Sequence, residues 1–143
     1  MTTIAATRGV IAADRRCDKG GEYAQVSAPK LRRYGSLIVG VAGDYTKMMR
    51  FFEWVAGGMR GRAPATRGIE ILAAEGGQLQ DWDVVNGVLV RTPVEGSYAA
   101  IGSGEDVAKG AMYAGAGAVT AVLAAIEHDP KSGNGYISMR YRK

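Results

Sequence analysis

Histidine and cysteine each occur once in this chain of 143 residues, as His128 and Cys17. A single cysteine excludes an internal disulfide and a cysteine-based metal cluster. A single histidine, far from Cys17 in sequence, argues against a His-rich zinc site and against a histidine-dependent triad. Cys17 therefore reads as a structural thiol. No metal or cofactor is expected. No run approaches the ~18 uninterrupted apolar residues of a membrane span. The start lacks the basic-then-apolar pattern of a signal peptide. With the thiol kept reduced, these features predict a cytoplasmic protein. Charge is not concentrated either. Lys and Arg number 18 against 14 acids, a net charge of +4. Basic residues gather at Lys30 with Arg32-Arg33 and at the tail Arg140, Arg142, Lys143. A nucleic-acid surface needs a denser stripe with interleaved aromatics, so none is expected.

What is present is ordinary globular material: 47% hydrophobic and 22% charged residues, enough for one domain over residues 1–143. Glycine, at 21 residues, punctuates it. TIAAT and VIAAD, joined by Arg8-Gly9, predict an opening hairpin. SLIVGVAGD, residues 36–44, reads as a buried strand. DYTKMMRFFEWVAGGMR reads as a helix capped by Asp44, with Met48, Phe52, Val55 and Met59 on one apolar stripe. IEILAAE and QLQDWDVV flank Gly76-Gly77 as a second hairpin, and NGVLVRT and SYAAIGSG supply further strands. Two alanine-rich helices follow, EDVAKGAMYAG and AVTAVLAAIEHD, then the loop HDPKSGNG and the alternating strand YISMRYR. Strand blocks interrupted by helical blocks predict two packed sheets with helices outside.

A terminus pinned into a hairpin is unusual unless it has work to do. If Met1 is removed, Thr2 carries a hydroxyl and a free amine, held rigidly. A threonine hydroxyl needs a base to act as a nucleophile, and an α-amine with a pKa of ~8 can serve. A neighbouring cation would favour the alkoxide, an anion would hold that cation, and backbone N–H groups would stabilise an oxyanion. Asp14 ends the second strand, Lys30 precedes the buried run, and Gly40 and Gly43 lie in GVAGD. Each has a plain alternative. An Asp at a strand end usually makes a turn, and a Lys before a buried strand usually lies on the surface.

Several motifs in order resemble the proteasome β-subunit and HslV-type family of N-terminal nucleophile hydrolases. TTI resembles the mature start of HslV. VIAADRR resembles the strand of the catalytic acid, on Asp14. KLRRYGSLIVGVAGD resembles the segment from the catalytic lysine, on Lys30, to the oxyanion glycine, on Gly40 with Gly43 as the second register. YAAIGSGEDVAKGA resembles the segment bearing a supporting serine, on Ser103. HDPKSGNGYISM resembles the proteasome D-x-x-S-G turn, giving Asp129 and Ser132. The resemblance implies a four-layer α/β/β/α sandwich of two antiparallel sheets with outer helices. It also implies roles. Thr2 attacks the peptide carbonyl, its amine relays the proton, and Lys30 lowers the hydroxyl pKa while Asp14 orients it. Ser103, Asp129 and Ser132 hold the amine and its water. It further implies a homo-oligomeric ring or stacked rings, polypeptide substrates and an ATP-dependent unfoldase. Val41 and the residues after Gly43 stand by position as walls of a specificity pocket. Two other readings use the same fold: a non-catalytic ring-forming scaffold that keeps Met1, and an amidase acting on a small amide. Against typical family members the chain is short, with a tight opening hairpin and little sequence between GSG and DPKS.

Overall fold

The computed structural model describes residues 2–19, 22–27 and 29–141, with the side chains of all but 17–19 and 22–27. Met1, the Gly20-Gly21 pair and the Cys17 thiol lie outside the described parts. The opening hairpin forms as the sequence predicts. Strands β1 (Thr3–Thr7) and β2 (Val10–Asp14) pair antiparallel, Ile4 opposite Ala13. They meet across Arg8-Gly9, where Gly9 takes φ 85°, a conformation that costs glycine nothing. The strands β3 (Arg16–Lys19) and β4 (Glu22–Ser27) make a separate two-stranded ribbon. RCDKGGEYAQVS is polar and broken by glycines, so its sequence does not announce a strand.

The larger sheet runs β5 (Leu31–Tyr34), β6 (Leu37–Gly43), β7 (Ile69–Glu75), β8 (Gln78–Val85) and β9 (Val88–Pro93), neighbours in that order and antiparallel throughout. The other main sheet sets β10 (Tyr98–Gly102) against β1 and β11 (Tyr136–Arg140) against β2. Helix α1 (Tyr45–Ala56) starts on Asp44, whose carboxylate accepts the Lys47 N–H at 3.0 Å. It ends earlier than the predicted stripe. Gly57 returns its N–H to the carbonyls of Glu53 and Val55, and Gly58 turns to φ 90°. Met59 therefore falls beyond the helix, and Phe51 joins Met48, Phe52 and Val55 on the buried face. Helices α2 (Glu105–Tyr113) and α3 (Ala118–His128) form as read, split by the 115–117 glycine region.

Alternation along the strands sorts the core into layers. Ile4, Ile11, Leu31, Ile38, Leu72 and Leu79 fill the space between the two sheets. Val39, Val41, Ile71 and Trp82 turn the other way, onto Phe51 and Phe52 of α1. On the far side Ala5, Ala12 and Ala100 meet Ala108, Ala121 and Val122 of α2 and α3, a layer of small side chains that lets the helices approach the sheet closely. The result is the expected four-layer α/β/β/α sandwich. Its two outer layers are unequal, with one helix over the five-stranded sheet and two over the four-stranded one.

Candidate active site

The start of β1 and the end of β2 lie side by side, so Thr2 and Asp14 meet at one end of the sandwich. Asp14 is wholly enclosed, at 0% exposure. Its Oδ1 accepts the Thr2 hydroxyl, the Thr3 N–H at 3.0 Å and the Lys30 ammonium at 3.0 Å. Its Oδ2 accepts the Gly133 N–H at 2.9 Å. Four donors converge on one carboxylate. An ion pair enclosed in this way is tolerable only when its remaining polar atoms are satisfied. Lys30, 2% exposed, enters from the start of β5, whose carbonyl at Lys30 receives the Val41 N–H at 3.0 Å. The lysine expected at the surface on ordinary grounds is thus an interior residue, and the aspartate expected in a turn is an interior acceptor.

A second cluster lies on the helix side of β1. The Ser103 and Ser132 hydroxyls both donate to Asp129 Oδ2, at 2.6 and 2.7 Å. Ser132 Oγ lies 2.8 Å from the hydroxyl oxygen of Thr3. Burial pushes the Asp129 carboxyl up. The two hydroxyls and the Lys131 N–H outweigh that, and the group titrates below its ordinary value. The turn carrying it is strapped down: Arg16 Nη1 donates to the Pro130 carbonyl, and the Arg15 N–H lies 3.1 Å from the carbonyls of Gly133 and Gly135. The trio Ser103, Asp129 and Ser132 was expected around the Thr2 amine. Its side-chain contact is with Thr3.

Thr3 is thus the residue the sequence analysis missed. Its N–H joins Asp14 and its hydroxyl joins Ser132, so it bridges the two clusters. Gly133 was missed likewise, although the S-G of the D-x-x-S-G turn contains it. Two further glycines press on the terminus. A Cβ at Gly102, which has φ 96°, would stand 1.7 Å from the Thr2 carbonyl oxygen, and one at Gly104 would stand 2.0 Å from the Thr3 hydroxyl oxygen. Gly40 sits mid-strand in β6, where a Cβ would meet Leu31 Cδ2 at 2.8 Å and Ile4 Cδ1 at 3.1 Å. Gly43, at φ 124°, backs onto the Gly68 carbonyl, 2.3 Å from where a Cβ would be. Val41, named as a pocket wall, faces α1 and is fully buried there. Alternation puts Ala42 on the inter-sheet side in its place.

No family model and no curated protein matches the chain. Solved structures do. BPH from Thiobacillus denitrificans, in complex with epoxomicin, matches with a TM-score of 0.71 at 21% identity, over 99% of this chain and 100% of that one. Eukaryotic HslV from Trypanosoma brucei matches with a TM-score of 0.70 at 22% identity, again over 99% of this chain and 100% of that one. The chain has the HslV fold. The agreement runs nearly end to end in both chains. At about a fifth of positions identical, what it shows is the fold. Among the described residues no helix is long and apolar enough to cross a membrane.

Proposed function

We propose that this chain is a threonine peptidase of the HslV type, with Thr2 as its nucleophile once the bond to the preceding residue is cut. The observation that carries the reading is the Thr2 hydroxyl in hydrogen-bond contact with a buried carboxylate that also holds the Lys30 ammonium. An ammonium beside a hydroxyl favours the alkoxide, and Asp14 keeps that ammonium in position. The freed α-amine of Thr2 is the base. It takes the hydroxyl proton as Oγ bonds to the peptide carbonyl carbon, and the resulting oxyanion is met by a backbone N–H of the Gly40–Gly43 stretch. The protonated amine then gives its proton to the departing amine, leaving an ester on Thr2. Water, deprotonated by the same amine, attacks the ester and releases the acid. Until the Met1–Thr2 bond is cut, that nitrogen is an amide with no basic lone pair.

The scheme runs on the chain's own groups, without metal or cofactor. Ring assembly, polypeptide substrates, an ATP-dependent unfoldase and a cytoplasmic setting belong to the same proposal. The likeness in fold to HslV supports the ring assembly.

The test is intact mass before and after an epoxyketone probe, on wild type and on Thr2→Ala. Loss of Met1 and one covalent adduct, absent from Thr2→Ala, is expected. A chain that starts at Thr2 and still takes no adduct would overturn the reading. A chain that keeps Met1 under efficient methionine removal and takes no adduct would favour the scaffold.

A further inference from the structure

At the mouth of the sandwich the strands of the two sheets lie over one another in a definite order. In the larger sheet Lys30 flanks one edge of β6, beside Val41, and Glu70 of β7 pairs with Ala42 on the other edge. In the smaller sheet Gly102 pairs with Thr3. The Gly102 amide lies near enough to the Glu70 carboxylate to favour its charged form, and Gly102 is the glycine packed against the Thr2 carbonyl. Gly102 thus stands between the Thr2 carbonyl and the neighbourhood of Glu70. Lys30 is committed to Asp14 in the interior. Glu70 is exposed and opens onto a cavity of about 310 Å³ lined by Ala42, Gly43, Gly68 and Ile69.

That cavity has a chemical bias. Its floor is apolar, from Ala42 and Ile69, and its two glycines leave it wide. Its charged wall is one carboxylate, in a molecule of net charge +4. Burial raises the Glu70 pKa, and Glu105 and Asp81 add like-charge repulsion. The nearby cations are engaged elsewhere: Lys109 is shared with Glu105 at 3.7 Å, and Lys47, beside Gly68, donates to the Arg67 carbonyl at 2.6 Å. A long side chain with an apolar stem and a cationic head satisfies both features, since the stem covers the floor and the head relieves the crowded carboxylates.

Resting on the Thr2 reading above, the geometry points to this cavity as a substrate subsite that selects a lysine or arginine side chain close to the bond cut, with Glu70 as the specificity-determining residue. An acidic side chain is repelled there, and a neutral one fills the floor without the ion pair.

The test uses three fluorogenic peptides differing at one residue beside the scissile bond: lysine, its neutral near-isostere norleucine, or glutamate. kcat/KM is measured for the full chain as wild type, Glu70→Gln and Glu70→Lys, with intact-mass labelling of Thr2 run on the same wild-type preparation. Wild type should favour lysine over norleucine by about tenfold, as a charge-assisted contact at a half-open site does. Glu70→Gln should erase that ratio, and Glu70→Lys should turn the preference to glutamate. A wild type that labels at Thr2 and shows the same lysine preference as Glu70→Gln, or no such preference, overturns the subsite while leaving the peptidase standing. A wild type that cuts none of the peptides and does not label overturns both.

Discussion

Thr3 touches both halves of the site through two different atoms, and those atoms can be separated by mutation. Thr3→Val keeps the backbone N–H to Asp14 and the β-branched shape but removes the hydroxyl facing Ser132. Thr3→Ser keeps the hydroxyl. If the second cluster positions the terminus, Thr3→Val slows epoxyketone labelling of Thr2 by about tenfold or more, because small misplacements of a nucleophile are costly. Thr3→Ser restores most of that rate. Equal rates in Thr3→Val and wild type, in variants of matched thermal midpoint, would dismiss the bridge. At this scale the sequence was informative about residue types and poor about partners. Asp14, Lys30, Ser103, Asp129 and Ser132 were all legible through motifs. That Ser132 would meet Thr3, and that Gly133 would complete the Asp14 shell, depends on a turn packing against a strand more than a hundred residues away, which no local pattern records.

Elements were legible wherever burial is one-sided. The 3.6-residue spacing of α1 and the alternation of YISMRYR each announce a face, whereas β1 and β2, buried on both faces, were legible from the Arg8-Gly9 joint between them. The end of α1 was misread because Met59 keeps the helical spacing while Gly57-Gly58 stops the helix before it. The correction is measurable. Phe52→Ala opens a hole in a 0%-exposed position under the Arg32 guanidinium, 4.3 Å from the ring centroid, and should cost about 3–5 kcal/mol. Met59→Ala, at a half-buried position past the cap, should cost under about 1 kcal/mol. Urea unfolding with unchanged slope reads both values. Comparable losses would mean that the apolar stripe runs through residue 59 after all. The β3–β4 ribbon was invisible for the converse reason: its polar, glycine-broken sequence offers no face to detect.

For the whole molecule, element order alone anticipated four layers, because strands that alternate in blocks with helices have few ways to bury both faces. The unequal cover was not anticipated. One 12-residue helix, α1, cannot shield five strands, and Val85, Val88 and Val90 stay exposed on β8 and β9. What holds the sandwich shut at the end opposite the site is the last described residue. Tyr141 puts its ring between the sheets, donates its hydroxyl to the Thr7 carbonyl at 2.5 Å and its N–H to the Gly9 carbonyl at 2.9 Å. It follows β11, which pairs along β2 up to Tyr136 opposite Asp14. The C-terminal strand is therefore clamped at both ends of the molecule, by the site at one and by Tyr141 at the other. Tyr141→Phe keeps the ring and gives up one hydrogen bond, a loss of about 1 kcal/mol. Tyr141→Ala also empties the inter-sheet space, a loss of about 3–5 kcal/mol. In a chain of this size the first should lower the thermal midpoint by ~2–5 °C and the second by several times that. Below its midpoint Tyr141→Phe should label at Thr2 as wild type does, since β11 remains paired to β2. A Tyr141→Phe variant with wild-type stability but slowed labelling would show instead that the clamp tunes the site along the length of β11.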